Sequence, residues 1–209
     1  ILIRLNNRLT VQKKPTEVFQ AMERMLQDPR YKNVQFAINA DPSDTEGYYR
    51  DHALQLQDRF PGRFSYSGFE KEESNKLYAG ADITVGNSWW ETFGLFATQA
   101  GCAGNIVALP DNSGMADTAI PLDPKKGTGY SVLFKDTDVN GVHWGMQEAV
   151  RAVEKMRTNK EQANKHLKDN MRRLRDDYSI HAYGERMLCV IDEVAREYNL
   201  YKDGYQLLA

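Results

Sequence analysis

The stretch that decides the fold is DITVGNSWWETFGLFATQAGCAGNIVALP, residues 82–110. Its two ends, DITVGN (82–87) and NIVALP (105–110), are short apolar runs of strand type. Between them FGLFATQAGCAG (93–104) has the length and small apolar residues of a buried helix. Strand, helix and strand in that order predict two parallel strands joined by a crossover. The loop before the helix is unusual: SWWET (88–92) puts two tryptophans, a glutamate and a threonine at the mouth of an apolar helix.

Working outward, the same alternation continues. Strands are predicted at ILIRLN (1–6), VQFAIN (34–39), RFSYSG (63–68) and GYSVLF (129–134), with helices at 15–28, 45–60 and 70–80. A loop rich in Asp, Ser and Gly is expected after Pro110. From 140 onward three segments of period near 3.6 predict helices to the end of the chain. The fold class is therefore α/β: a Rossmann-like parallel sheet flanked by helices, with a helical C-terminal tail. No repeat or linker divides the 209 residues, so one domain is expected, with a sheet core over 1–135 and closing helices over 140–209. The chain opens on a core strand with no initiator Met, which reads as a domain cut from a longer protein.

Bulk properties exclude some functions. A net charge of −2 gives no basic field for nucleic acid. No run reaches the ~20 apolar residues of a membrane span. The basic clusters Lys13-Lys14, Lys125-Lys126 and Arg172-Arg173 read as solvated faces. Cys102 and Cys189 lack metal spacing and read as reduced thiols in a cytosol-like compartment. His52, His143, His166 and His181 are scattered and read as structural or surface groups, so no metal is expected.

In open α/β sheets ligands bind outside the carboxyl ends of the strands, and four stretches fall there. At 91–95 the first N–H groups of a helix can receive a phosphate, Gly94 admits close approach, and Glu91 can accept from ligand hydroxyls. Alternatively, Thr92 or Ser88 caps the helix and the tryptophans fill the core edge. Arg8 and Lys13, in NNRLTVQKKP (6–15), form either a diphosphate site or two surface cations. Phe69 either stacks on a nucleobase or caps the core. Gly114, Asp117 and Thr118, in PDNSGMADTAI (110–120), line a pocket or form a turn.

Taken in order, RLTVQK (8–13), LYAGADITV (77–85), SWWETFGL (88–95) and SGMADT (113–118) resemble the C-terminal, nucleotide-sugar-binding half of glycogen and starch synthases, retaining glycosyltransferases of the two-domain GT-B fold. The resemblance covers about residues 1–135, and GTGYSVLF (127–134) extends it. The family pattern reads R-L-x-x-Q-K, Y-A-G-A-D, S-x-F-E-P-C-G-L and T-G-G-L-A-D-T. Here Thr92-Phe93 replaces Pro-Cys, Ser113 replaces the first Gly of the last motif, and Gln99 stands where many related transferases carry a second acid.

The resemblance implies a hexosyltransferase moving glucose from ADP-glucose or UDP-glucose to an α-glucan, without metal or other cofactor. By position, Arg8 and Lys13 match the pair on the donor phosphates, and Glu91 the acid facing the glucosyl unit. Thr92, Phe93, Gly94 and Leu95 match the sugar- and phosphate-binding helix start. Phe69 falls where the family stacks an aromatic on the base, and Asp117 and Thr118 line the phosphate side. Implied partners are the donor, the α-glucan and an N-terminal GT-B domain of the same protein, in cytoplasm or plastid stroma. Two other readings stand beside it: a GT-B transferase with a different sugar or acceptor, and a non-catalytic GT-B-like module that binds glycan or a partner.

Overall fold

The computed structural model describes residues 1–5, 7–123 and 126–197; Asn6, Lys125 and the last stretch of the expected closing helices, 198–209, lie outside the described residues. The chain forms two compact units, Ile1–Met171 and Arg172–Ala209.

The first unit is built on six parallel strands. They are β1 (Leu2–Leu5), β2 (Gln35–Asn39), β3 (Phe64–Ser67), β4 (Ile83–Val85), β5 (Ile106–Pro110) and β6 (Ser131–Phe134), in the order β3-β2-β1-β4-β5-β6. Crossovers run through α1 (Pro15–Gln27), α2 (Tyr48–Arg59), α3 (Lys71–Gly80), α4 (Leu95–Cys102) and α5 (Ser113–Thr118). Helix α6 (Val139–Thr158) follows β6, and α7 (Lys160–Tyr178) runs from the first unit into the second. The predicted parallel sheet and all six strands are present. Helix α5 replaces the loop expected after Pro110; six residues are too few to show a helical period in sequence.

Strand alternation explains the layering. Ile3, Leu5, Phe36, Ile38, Ile83, Val85, Ile106 and Ala108 are buried in one core with Val18, Met22 and Met25 of α1, Leu56 of α2 and Val142, Met146 and Val150 of α6. Residues of the opposite parity meet other partners. Arg4, fully buried, donates to the Ser74 carbonyl (3.0 Å) and hydroxyl (3.2 Å) of α3, and its guanidinium lies 3.7 Å from the Tyr78 ring centre. Burial holds its pKa below the usual arginine value, with Tyr78 acting in the opposite direction.

In the order of strands the direction of winding reverses at β1, whose neighbours are β2 on one side and β4 on the other. The register places Leu5 beside both Ile38 and Val85. The segments leaving β1 and β4 therefore open side by side at the topological switch point, where such sheets bind ligands.

The second unit comprises the end of α7 and α8 (Ile180–Glu197). The Ser179 hydroxyl accepts from the Ala182 N–H (3.1 Å), and Arg186 donates to the Asp177 carbonyl (2.9 Å). Ile180, Tyr183, Met187, Ile191 and Val194 of α8 recur at helical spacing and are exposed. Among the described residues no helix is long and apolar enough to cross a membrane.

Candidate functional site

After β1 the chain turns through Asn7 to Thr10, makes a 3₁₀ turn at Val11–Lys13 and enters α1 through Lys14, whose φ of 50° is left-handed. Pro15 then starts the helix, where its missing N–H costs nothing. This compact bend buries Lys13 (8% exposed), and the Lys14 side chain donates to the Thr137 hydroxyl at 3.0 Å. Lys13-Lys14 is thus not a solvated face: the tight turn before α1 folds both side chains against the protein.

The loop after β4 lies against this bend. Trp89 N–H donates to the Gln12 carbonyl (3.0 Å), the Gln12 side-chain amide donates to the Trp90 carbonyl (2.9 Å), and Asn7 donates to the Asn87 carbonyl (2.8 Å). In consequence the Lys13 ammonium meets the Glu91 carboxylate in an ion pair. The two come from motifs 78 residues apart.

From the other side α5 braces the same loop. Gly114 N–H donates to the Glu91 carbonyl (3.0 Å), the Thr118 hydroxyl to the Phe93 carbonyl (3.0 Å), and Asn112 to the Trp89 carbonyl (3.3 Å). A Cβ at Gly114 would lie 1.4 Å from the Thr92 carbonyl oxygen, so only glycine allows this approach. Gly94, with φ of 74°, is the N-cap of α4, and an added Cβ there would lie 2.5 Å from Met115 Cγ. Its glycine is required by the backbone and by α5.

The alternative structural reading of the helix mouth does not hold. Helix α4 begins at Leu95 with no side-chain cap, so neither Thr92 nor Ser88 caps it. Trp89 and Trp90 are each 60% exposed and do not fill the core edge. Phe93 and Leu95 are also exposed, as are Thr92 and Asp117.

A cleft of about 480 Å³ opens beside the 7–13 segment, lined by Asn7, Arg8, Thr10, Asn39, Asp41 and Phe69 among others. Arg8 is exposed there, and its guanidinium has no hydrogen-bond or ion-pair partner among the described residues. Phe69, 59% exposed, does not cap the core. Its loop is fixed by buried Asn39, which donates to the Gly68 carbonyl (2.6 Å) and accepts from the Glu70 N–H (3.3 Å). The Thr10 hydroxyl, Asn87 Oδ1 and the Ser88 hydroxyl are buried without a partner among the described residues. All three fall on the two segments that form the site, and buried polar atoms of this kind call for a ligand or water.

The structure thus brings Arg8 and Phe69 into one cleft and Lys13 and Glu91 into contact, with Phe93, Gly94 and Thr118 on the brace. Sequence reasoning missed the amides Asn7, Gln12, Asn39 and Asn112, which carry the loop-to-loop hydrogen bonds. Asn7, Asn39 and Asn112 gave only a positional signal, each lying at or just beyond a strand end, whereas Gln12 is the Gln of the RLTVQK motif and sits in the 3₁₀ turn. Among the described residues no three His, Cys, Asp or Glu side chains converge as a metal site requires.

No family model matches the chain. The chain is 30% identical over 158 residues to a probable glycogen synthase of Methanocaldococcus jannaschii, covering 71% of this chain and 29% of that protein. It is 28% identical over 181 residues to the glycogen synthase of Lactobacillus acidophilus, covering 85% of this chain and 35% of that one. Among solved structures, the catalytic domain of starch synthase IV from Arabidopsis thaliana, bound to ADP and acarbose, superposes with a TM-score of 0.67 at 17% identity. That match covers 93% of this chain and 38% of the plant chain. Anabaena HepE in complex with UDP-glucose gives 0.68 at 15% identity, covering 92% and 48%. The chain spans about a third or less of the length of the curated relatives it matches. It is a glycogen-synthase-like domain with the Rossmann-like half of a GT-B fold.

Proposed function

We propose that this domain binds the nucleotide-sugar donor of a retaining glucosyltransferase of the glycogen and starch synthase kind. The donor is ADP-glucose or UDP-glucose, the acceptor an α-glucan, and an N-terminal domain of the same protein closes over the site. The observation that carries the reading is the meeting of Lys13 and Glu91 at the switch point, beside a cleft that holds Arg8 and Phe69. The names of the sequence relatives, and the ADP and UDP-glucose in the two solved neighbours, support it.

The residues divide the work by chemistry. Phe69 offers a ring face to the base. Arg8, whose planar fork has no partner among the described residues, suits phosphate oxygens, and Lys13 supplies a point charge. Leaving-group departure creates negative charge on the diphosphate, and these cations, with the start of α4, stabilise it. Glu91 accepts from glucosyl hydroxyls. Thr118 and Gly94 act on the donor through the loop they hold, while Thr92, Phe93, Leu95 and Asp117 flank it. The reading needs neither metal nor cofactor, and places the enzyme in cytoplasm or plastid stroma, where nucleotide sugars are made.

Calorimetric titration with ADP, UDP and GDP tests this directly. One diphosphate is expected to bind selectively, and Phe69→Ala to weaken it. Failure of all three to bind, in this domain and in the full-length protein, overturns the reading.

A further inference from the structure

The Lys13–Glu91 pair sets a conflict inside the donor site. The cation assigned to the diphosphate is already paired, and both side chains are largely withdrawn from water, at 10% and 23% exposure. A carboxylate in that position is costly to leave without its counter-charge. Nor can Glu91 swing away with its loop, because its carbonyl accepts from Gly114 N–H and the preceding Trp90 carbonyl from Gln12.

Two ligands meet this pair differently. A free nucleoside diphosphate brings a terminal phosphate with an extra negative charge and no donor for the carboxylate. When it draws Lys13 toward itself, it takes the counter-charge from Glu91 and sets a second anion beside it. A nucleotide sugar carries one charge fewer on the esterified phosphate, and its sugar hydroxyls donate to Glu91 as Lys13 turns to the phosphate. From this we infer that Glu91 is a specificity-determining residue: it selects the sugar-loaded nucleotide over the free diphosphate and so favours discharge of the spent product. The inference rests on the donor-site reading above and adds to it which form of the nucleotide the site prefers.

The test is a double-mutant cycle in the full-length protein. ADP, UDP and their glucose esters are titrated into the wild type, Glu91→Gln, Lys13→Met and the double variant, each first shown by thermal melting to be folded. Glu91→Gln keeps the shape of the side chain and removes its charge. It is expected to tighten the free diphosphate about tenfold while weakening the glucose ester, which loses a charged acceptor for its hydroxyls. In the Lys13→Met background the same substitution is expected to give a clearly smaller gain, because only the repulsion between Glu91 and the diphosphate remains and there is no longer a pair to break. A ratio of the two dissociation constants that stays within about twofold of the wild type, or an equal gain with Lys13 removed, overturns the inference while nucleotide binding still stands. Absence of binding by the wild type to all four ligands removes the donor-site reading and the inference together.

Discussion

The two ends of the sheet carry cavities of opposite character. At the amino ends of β1, β2 and β3 lies the larger, about 610 Å³, against about 480 Å³ for the cleft at the carboxyl ends. Each contains one arginine. Arg63 at the amino end donates to the carbonyls of Leu26 (2.9 Å), Tyr31 (2.7 Å) and Val34 (3.2 Å), so its guanidinium serves the loop before β2. Arg8 at the carboxyl end has no such partners among the described residues. The buried oxygens of Thr10, Asn87 and Ser88, without a partner among the described residues, are at the carboxyl end too, and the Ser131 hydroxyl at the amino end of β6 is in the same state. Volume favours the amino end, while the state of Arg8 and the gathering of Thr10, Asn87 and Ser88 on two adjoining segments favour the proposed site at the carboxyl end.

The strongest way to break this contrast is Gly114→Ala. A methyl group 1.4 Å from the Thr92 carbonyl oxygen has to move the Glu91 loop. The expected cost is about 3 kcal/mol of stability, with loss of nucleotide binding. A variant that melts and binds like the wild type would show that α5 does not hold the loop. The two arginines then sharpen the contrast. Arg63→Ala is expected to cost about 2 kcal/mol of stability, since three carbonyls lose their donor, and to leave nucleotide affinity intact. Arg8→Ala is expected to do the reverse: unchanged melting, and nucleotide binding weakened by about 1–3 kcal/mol. Denaturant titration and calorimetry on both variants separate the outcomes, and a swapped pattern would move the site to the amino end.

A smaller effect is expected from Thr118→Val, which removes the hydrogen bond to the Phe93 carbonyl and should cost about 1 kcal/mol of stability. Because that bond acts on the donor only through the loop, a loss of affinity much larger than the loss of stability would mean that Thr118 touches the ligand itself. The smallest effect belongs to pH and to two histidines on α2 and α6. Burial holds His52 and His143 below the ordinary histidine value, and Nε2 of His143 is buried without a partner among the described residues. The unfolded chain takes up these protons first, so stability is full above about pH 6.5 and falls as pH drops through that value. Melting temperature measured from pH 8 to pH 5 should show that fall, and His143→Gln should flatten it.

Much of this molecule is legible in one dimension because its signals are local. The alternation of apolar runs with helical periods fixes a parallel α/β sheet, since both faces of each strand must be covered and each crossover is long. The order of short motifs located Arg8, Lys13, Phe69 and Glu91 at strand ends. Helix α5 escaped because six residues carry no period, and the amide contacts escaped because an asparagine beyond a strand looks like any turn residue. Sequence alone set the element order, the strand ends and the residue types gathered there. Tertiary structure alone decided which strand lies beside which, and so that the bend after β1 and the loop after β4 share one crevice. That choice pairs Lys13 with Glu91, leaves the Arg8 side chain without a partner among the described residues and gives Gly114 its place against Thr92. Contacts between residues 78 apart in sequence depend on strand order and on packing in three dimensions, which no window of neighbouring residues contains.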